Sequence, residues 1–115
     1  MRIATAAAFL ALAIPAVAYA HHGWSSYDAS RPMVVTGPVV SSTYGNPHGS
    51  LEIRHEGALW SVVLAPPSRM TARGLSADMI AEGREVTVEG YPRKDGTPEI
   101  RAERITAEGK TIELR

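Results

Sequence analysis

The chain has 115 residues, 12 basic against 12 acidic side chains, a hydrophobic fraction of 44% and no cysteine. That length allows one domain and not two. The lack of cysteine excludes disulfide scaffolds, zinc–thiolate sites and cysteine nucleophiles, and a formal charge of zero argues against a dedicated nucleic-acid binder, which is usually clearly basic.

The hydrophobic residues are unevenly spread. Arg2 gives a short positive start, Ile3 to Ile14 is an apolar run broken by one threonine, Pro15 ends it, and Ala18-Tyr19-Ala20 fits the small-x-small pattern of a signal cleavage site. Residues 1–20 are therefore expected to be a cleaved secretory signal peptide, because the run is too short for a typical membrane span. The mature protein is expected in the periplasm or outside the cell, with no stable membrane insertion. Cleavage would leave 95 residues, about 36% hydrophobic, with 11 basic and 12 acidic side chains and no phenylalanine. A lean core without disulfides favours a closed sheet or a bound ligand.

Residues 21–32 show little periodicity and read as an N-terminal arm. From 33 to 115 the pattern is that of a β domain. Met33 to Tyr44 reads as one long strand bent at Gly37-Pro38, since Gly within a strand marks a bulge or corner and Pro is confined to edges and bulges. Gly45-Asn46-Pro47-His48-Gly49 is a turn. Leu51 and Ile53 alternate with Glu52 and Arg54 in a second strand, Glu56-Gly57 turns the chain, and Leu59 to Leu64 is a third strand with Trp60, Val62 and Leu64 on one face.

Pro66-Pro67-Ser68 opens a short helix that Gly74 closes. Ser76 reads as the N-cap of a second short helix ending at Gly83, with a hydrophobic staple between Leu75 and Ile80. Alternation returns over Glu85 to Tyr91, Asp95-Gly96 signals a hairpin, Glu99 to Ala107 is the next strand, and Thr111 to Leu114 is a last short one. Three strands, a helical segment and two strands, with the first strand long enough to serve two sheets, is the order of a small OB-fold-like Greek-key barrel, all-β with one short helical segment. A β-sandwich with one helix is the alternative.

Four histidines occur, at 21, 22, 48 and 55. Cleavage after Ala20 makes His21 the mature N-terminus. Its α-amine and imidazole Nδ1 then form a ready chelate, and one further imidazole completes a three-nitrogen, T-shaped site. Nitrogen ligands in a tetragonal plane suit Cu(II), so a copper-binding histidine brace is expected, in a compartment where copper is less tightly buffered than in the cytosol. His48, aimed by the Asn46-Pro47 turn, is the expected third ligand. His22 competes with it, through amine, amide and imidazole together. Amine and imidazole must both shed a proton to bind a metal, their reference pKa values being about 7.7–8.0 and about 6.5, so affinity should fall as pH drops. The alternatives are a soluble chain end and a turn in which His48 merely caps a carbonyl, with zinc or no metal bound.

His55, beside a turn, is expected to face solvent. Trp24, Tyr44 and Trp60 are candidates to line a pocket, Trp60 more readily a core residue. Arg93-Lys94 and Arg101 to Arg104 form a basic patch diluted by Glu99 and Glu103, expected to be a solvated face. No phosphate loop, nucleophile elbow or catalytic carboxylate pair is present, so no enzyme activity is expected.

His21-His22-Gly-Trp-Ser-Ser-Tyr-Asp, the Gly37-x-Val39 strand, Asn46-Pro47-His48, Trp60, Gly74-Leu75-Ser76 and Gly83-x-x-Val86-x-Val88-x-Gly90-x-Pro92-x-x-Asp95-Gly96 together resemble a family of small exported bacterial proteins whose domain has no known function. The resemblance spans the mature chain and implies a periplasmic setting and an OB-like barrel, with no reaction. This chain departs from the family pattern at Gly23, usually serine, and at Leu75, usually tryptophan. Two functions follow as expectations. One is a periplasmic copper protein using His21, His48 and perhaps also His22. The other is an OB-like module for a periplasmic protein, peptide or glycan partner, with no metal.

Overall fold

The computed structural model describes residues 23–115, so the expected signal peptide, His21 and His22 lie outside the described residues. Six strands carry the fold: β1 (Met33–Thr43), β2 (Ser50–His55), β3 (Ala58–Val63), β4 (Glu85–Pro92), β5 (Glu99–Ala107) and β6 (Lys110–Glu113), with one helix, α1 (Pro67–Ala72), between β3 and β4. The sheet runs β3-β2-β1-β4-β5-β6, and a parallel pairing of β3 with β5 closes the first five strands into a barrel. This is the small all-β, OB-like barrel that the strand order implies, with β6 added outside the closure.

The bend in β1 makes closure possible. Met33 to Pro38 pair with β4, whereas Val39 to Thr43 pair with β2, and the register slips between Val39 and Ser41. Gly37 and Pro38 sit where the strand leaves one partner for the other. The sheet thus turns a corner without an extra strand.

Alternation fills the barrel. Val86 and Val88 on β4 and Ile100 and Ala102 on β5 point inward, and their neighbours point out. On β5 the alternation breaks at Glu103-Arg104, where both face outward and Ile105 resumes the core. The cause is a bulge: Glu89 pairs with Arg104 and Gly90 with Ala102, leaving Glu103 unmatched. Gly90 is required opposite, because a Cβ there would meet the Arg101 carbonyl group, with the carbonyl carbon at 2.8 Å.

Met70 of α1, Leu75 and Ile80 plug one end of the barrel, all without solvent exposure. Burying each such side chain stabilises by about 1.5–3 kcal/mol relative to leaving it exposed. Leu75 and Ile80 thus both enter the core as a staple would place them. The segment between them is a 3-10 turn (Ala77–Ile80) and not the short helix expected up to Gly83. Ala81 is already extended, and the Gly83 N–H donates to the Val39 carbonyl at 2.8 Å, which draws the chain onto the barrel before a second helical turn can form.

The arm packs onto the barrel from Trp24 onward. Trp24–Ser26 is a single 3-10 turn, Tyr27 bridges Arg93, Asp28 N–H donates to the Pro92 carbonyl at 2.8 Å, and Lys94 N–H donates to the Ser26 carbonyl at 3.0 Å. The arm thereby lies against the β4–β5 connection. That connection is a six-residue loop closed by Arg93 and Glu99, longer than a two-residue hairpin at Asp95-Gly96.

Candidate functional site

A cavity of about 200 Å³ opens where several distant parts of the chain meet. The β3–α1 junction supplies Val63, Leu64 and Pro66, and α1 supplies Arg69. Pro47 and His48 come from the β1–β2 turn, Arg101 from β5, Trp24 from the arm, and Leu114 from beyond β6. The Asn46–Pro47 peptide bond in that turn is cis.

His48 is half-buried, and its Nδ1 lies 3.0 Å from the Gly49 carbonyl oxygen. A carbonyl only accepts, so Nδ1 is the donor, and in the neutral ring Nε2 carries the lone pair. The capping contact considered from sequence is therefore present. It also sets the tautomer that a metal-ligating imidazole uses when its other nitrogen is tied to a backbone carbonyl. Among the described residues no three His, Asp or Glu side chains gather as a metal site.

His55 does not join His48. The two flank opposite ends of β2, whose five steps span about 17 Å at the usual strand rise. Nor does His55 simply face solvent: its ring packs edge-on against Trp60 with centroids 6.0 Å apart, its side chain only 25% exposed. Trp60 itself is half-buried against the core. Tyr44 also packs on the core, its hydroxyl donating to the Leu75 carbonyl at 2.7 Å, beside the Thr71 hydroxyl, also at 2.7 Å. Of the three candidate pocket aromatics, Trp24 alone lines this cavity.

Two arginines stack on Trp24 beside the cavity. The Arg101 and Arg115 guanidinium carbons each lie 4.4 Å from the centroid of Trp24. Such contacts are worth about 0.5–1 kcal/mol when exposed and more when desolvated. Burial lowers the Arg101 pKa below the usual arginine range. The Tyr27 hydroxyl opposes that shift, while the positive charges of Arg115 and Arg69 add to it. Arginine stays protonated regardless, so the cavity wall carries fixed positive charge.

Two arginines of the α1 segment hold the C-terminal residues in place. Arg69 Nη1 donates to the Leu114 carbonyl at 2.9 Å, and Arg73 Nη1 donates to those of Glu113 and Arg115 at 2.7 and 3.0 Å. The basic patch expected to be a solvated face thus divides. Arg93 pairs with Asp95 and Glu99, and Arg104 with Glu113 and Glu89, whereas Arg101 turns onto the arm.

Tyr27 anchors the arm. It is 3% exposed, and its hydroxyl donates to Glu99 Oε2 at 2.5 Å. Burial, then the hydrogen bond and negative charge of Glu99, push its pKa up to about 12, with Arg93 opposing. Sequence reasoning missed Tyr27, Arg69, Arg101 and Arg115. The available signal was the β5 alternation, which places Arg101 and Glu103 together on the outer face, where an arm can cover them.

Fold and site define a small closed OB-like barrel with a cation-walled cavity between its arm, its helix and the residues that follow β6. The chain belongs to the family of unknown function DUF6152, which matches residues 8–101. No curated protein matches the chain. The family match reaches Arg101 and stops short of Leu114 and Arg115.

Proposed function

We propose that the protein is an exported, periplasmic metal-binding protein that takes Cu(II) through the amine and imidazole of a mature N-terminal His21 and Nε2 of His48. The observation that carries the reading is the shared cavity of Trp24 and His48. His22 and His21 lie two and three residues before Trp24, within about 12 Å of chain at the standard Cα spacing. The Nδ1 contact of His48 with the Gly49 carbonyl orients the ring for ligation through Nε2. The nearby guanidinium groups oppose a dication, so affinity depends on the full nitrogen set. His22 is the competing third ligand.

The test compares protein beginning at His21 with protein carrying one extra residue before it, after mass spectrometry of the secreted chain has fixed its natural start. About one Cu(II) per chain is expected. A loss of at least tenfold in affinity is expected for the extended form and for His48→Ala, while His22→Ala binds nearly as well. Equal binding by the extended and unextended forms refutes the reading.

A further inference from the structure

We propose that the same cavity is a binding site for a small organic anion, a carboxylate carried on a flat apolar body, held by Arg69 and Arg101 beside Trp24. The proposal stands whether or not a metal binds at His48.

The size of the cavity sets the class of ligand. About 200 Å³ lies below the roughly 300–1,000 Å³ of sites for drug-sized ligands, so the occupant is a small molecule and not a peptide or glycan chain. Its wall sets the chemistry. Leu64 and Leu114, 3% and 2% exposed, and the half-buried Val63 give an apolar floor, and Trp24 gives an aromatic side. Two guanidinium groups, Arg69 and Arg101, also line it, with Arg115 stacked on the same indole. Guanidinium groups match a carboxylate in shape as well as charge.

The arginines are also held in place. Arg69 is fixed by the Leu114 carbonyl and Arg101 by the Trp24 ring, so little side-chain freedom remains to be lost on binding. Burial, and then repulsion from Arg115 and Arg69, lower the Arg101 pKa, and an anion placed among these guanidinium groups offsets that repulsion. A neutral ligand of the same shape gains only the apolar contact.

The test uses benzoate on purified protein stripped of metal with EDTA, followed by two-dimensional amide NMR. Benzoate is expected to shift the Trp24 indole N–H and the amides of His48 and Leu64 saturably. Benzamide, neutral and of the same shape, and acetate, charged but without the ring, are each expected to bind at least tenfold more weakly. Arg101→Gln and Arg69→Gln are each expected to weaken benzoate at least tenfold with a dispersed spectrum retained. Because either variant could disturb the arm or the C-terminal residues, the comparison of benzoate with benzamide on the unaltered protein decides by itself. Equal binding of the two, no saturable shift below about 10 mM, or shifts confined to other faces overturns the proposal. A failure to bind copper leaves these shifts in place, and a failure to bind benzoate leaves copper binding in place, so the two readings fall separately.

Discussion

Replacing Tyr27 with phenylalanine isolates the hydroxyl that fastens the arm. The ring, its burial and its stacking under Arg93 at 5.8 Å survive the change. What is lost is the 2.5 Å hydrogen bond to Glu99. A hydrogen bond to a charged group contributes about 1.5–3 kcal/mol. Glu99 keeps Arg93 at 3.5 Å, so the lower half of that range applies, about 1.5–2 kcal/mol. For a domain of this size that lowers Tm by roughly 10 °C, measured by circular dichroism and checked by urea unfolding. The pH dependence provides a second reading. The hydroxyl titrates near 10.0 when unfolded and at about 12 when folded. The stability it contributes is therefore complete below pH 10 and is lost as pH rises toward 12. The Tyr27→Phe variant lacks this step. A loss under about 0.5 kcal/mol, the range of ordinary surface substitutions, with an unchanged alkaline profile, would refute the anchoring role.

Gly90→Ala places a Cβ against the β5 backbone at Arg101 and Ala102, with the Ala102 Cα at 2.9 Å. No side-chain rotation relieves that contact, so the variant is expected to lose about 3 kcal/mol or more in chemical denaturation and to shift the Arg101 amide in the NMR spectrum. Tyr44→Phe removes the hydroxyl between Thr71 and the Leu75 carbonyl. It is expected to cost about 1 kcal/mol by urea titration without changing copper or benzoate affinity, because Tyr44 does not line the cavity.

The barrel was legible because its signals are local. Glu99 to Ala107 is bounded by turn residues on both sides, and the structure gives β5 those same limits. Gly37-Pro38 announced a corner, and the strand exchanges partners there. The second helical segment was overestimated because Ser76 and Asp78 favour a helix start, while the bond from Gly83 to Val39, which shortens it, is a contact between distant positions. The site was legible only in part for the same reason. His48 stood out by residue type and turn chemistry. Arg101 sat in a strand face that reads as solvated, and nothing local indicates that Trp24 comes to cover it. Tyr27 gave no signal either, since burial of one aromatic in an aperiodic arm depends on the Glu99 partner 72 positions away.

The stacking of Arg115 on Trp24 has a consequence for the timing of assembly. These residues stand 91 positions apart, and their contact lies outside the strand pairings that close the barrel. In a chain made from its N-terminus, β1 to β5 can pair before Leu114 and Arg115 arrive, so the cavity, which Leu114 lines, is completed after the barrel. A ligand at this cavity would therefore meet a barrel that is already closed. Once seated, it clasps both ends of the domain and raises the free energy of unfolding by mass action, about 2.7 kcal/mol at a hundredfold excess over its Kd.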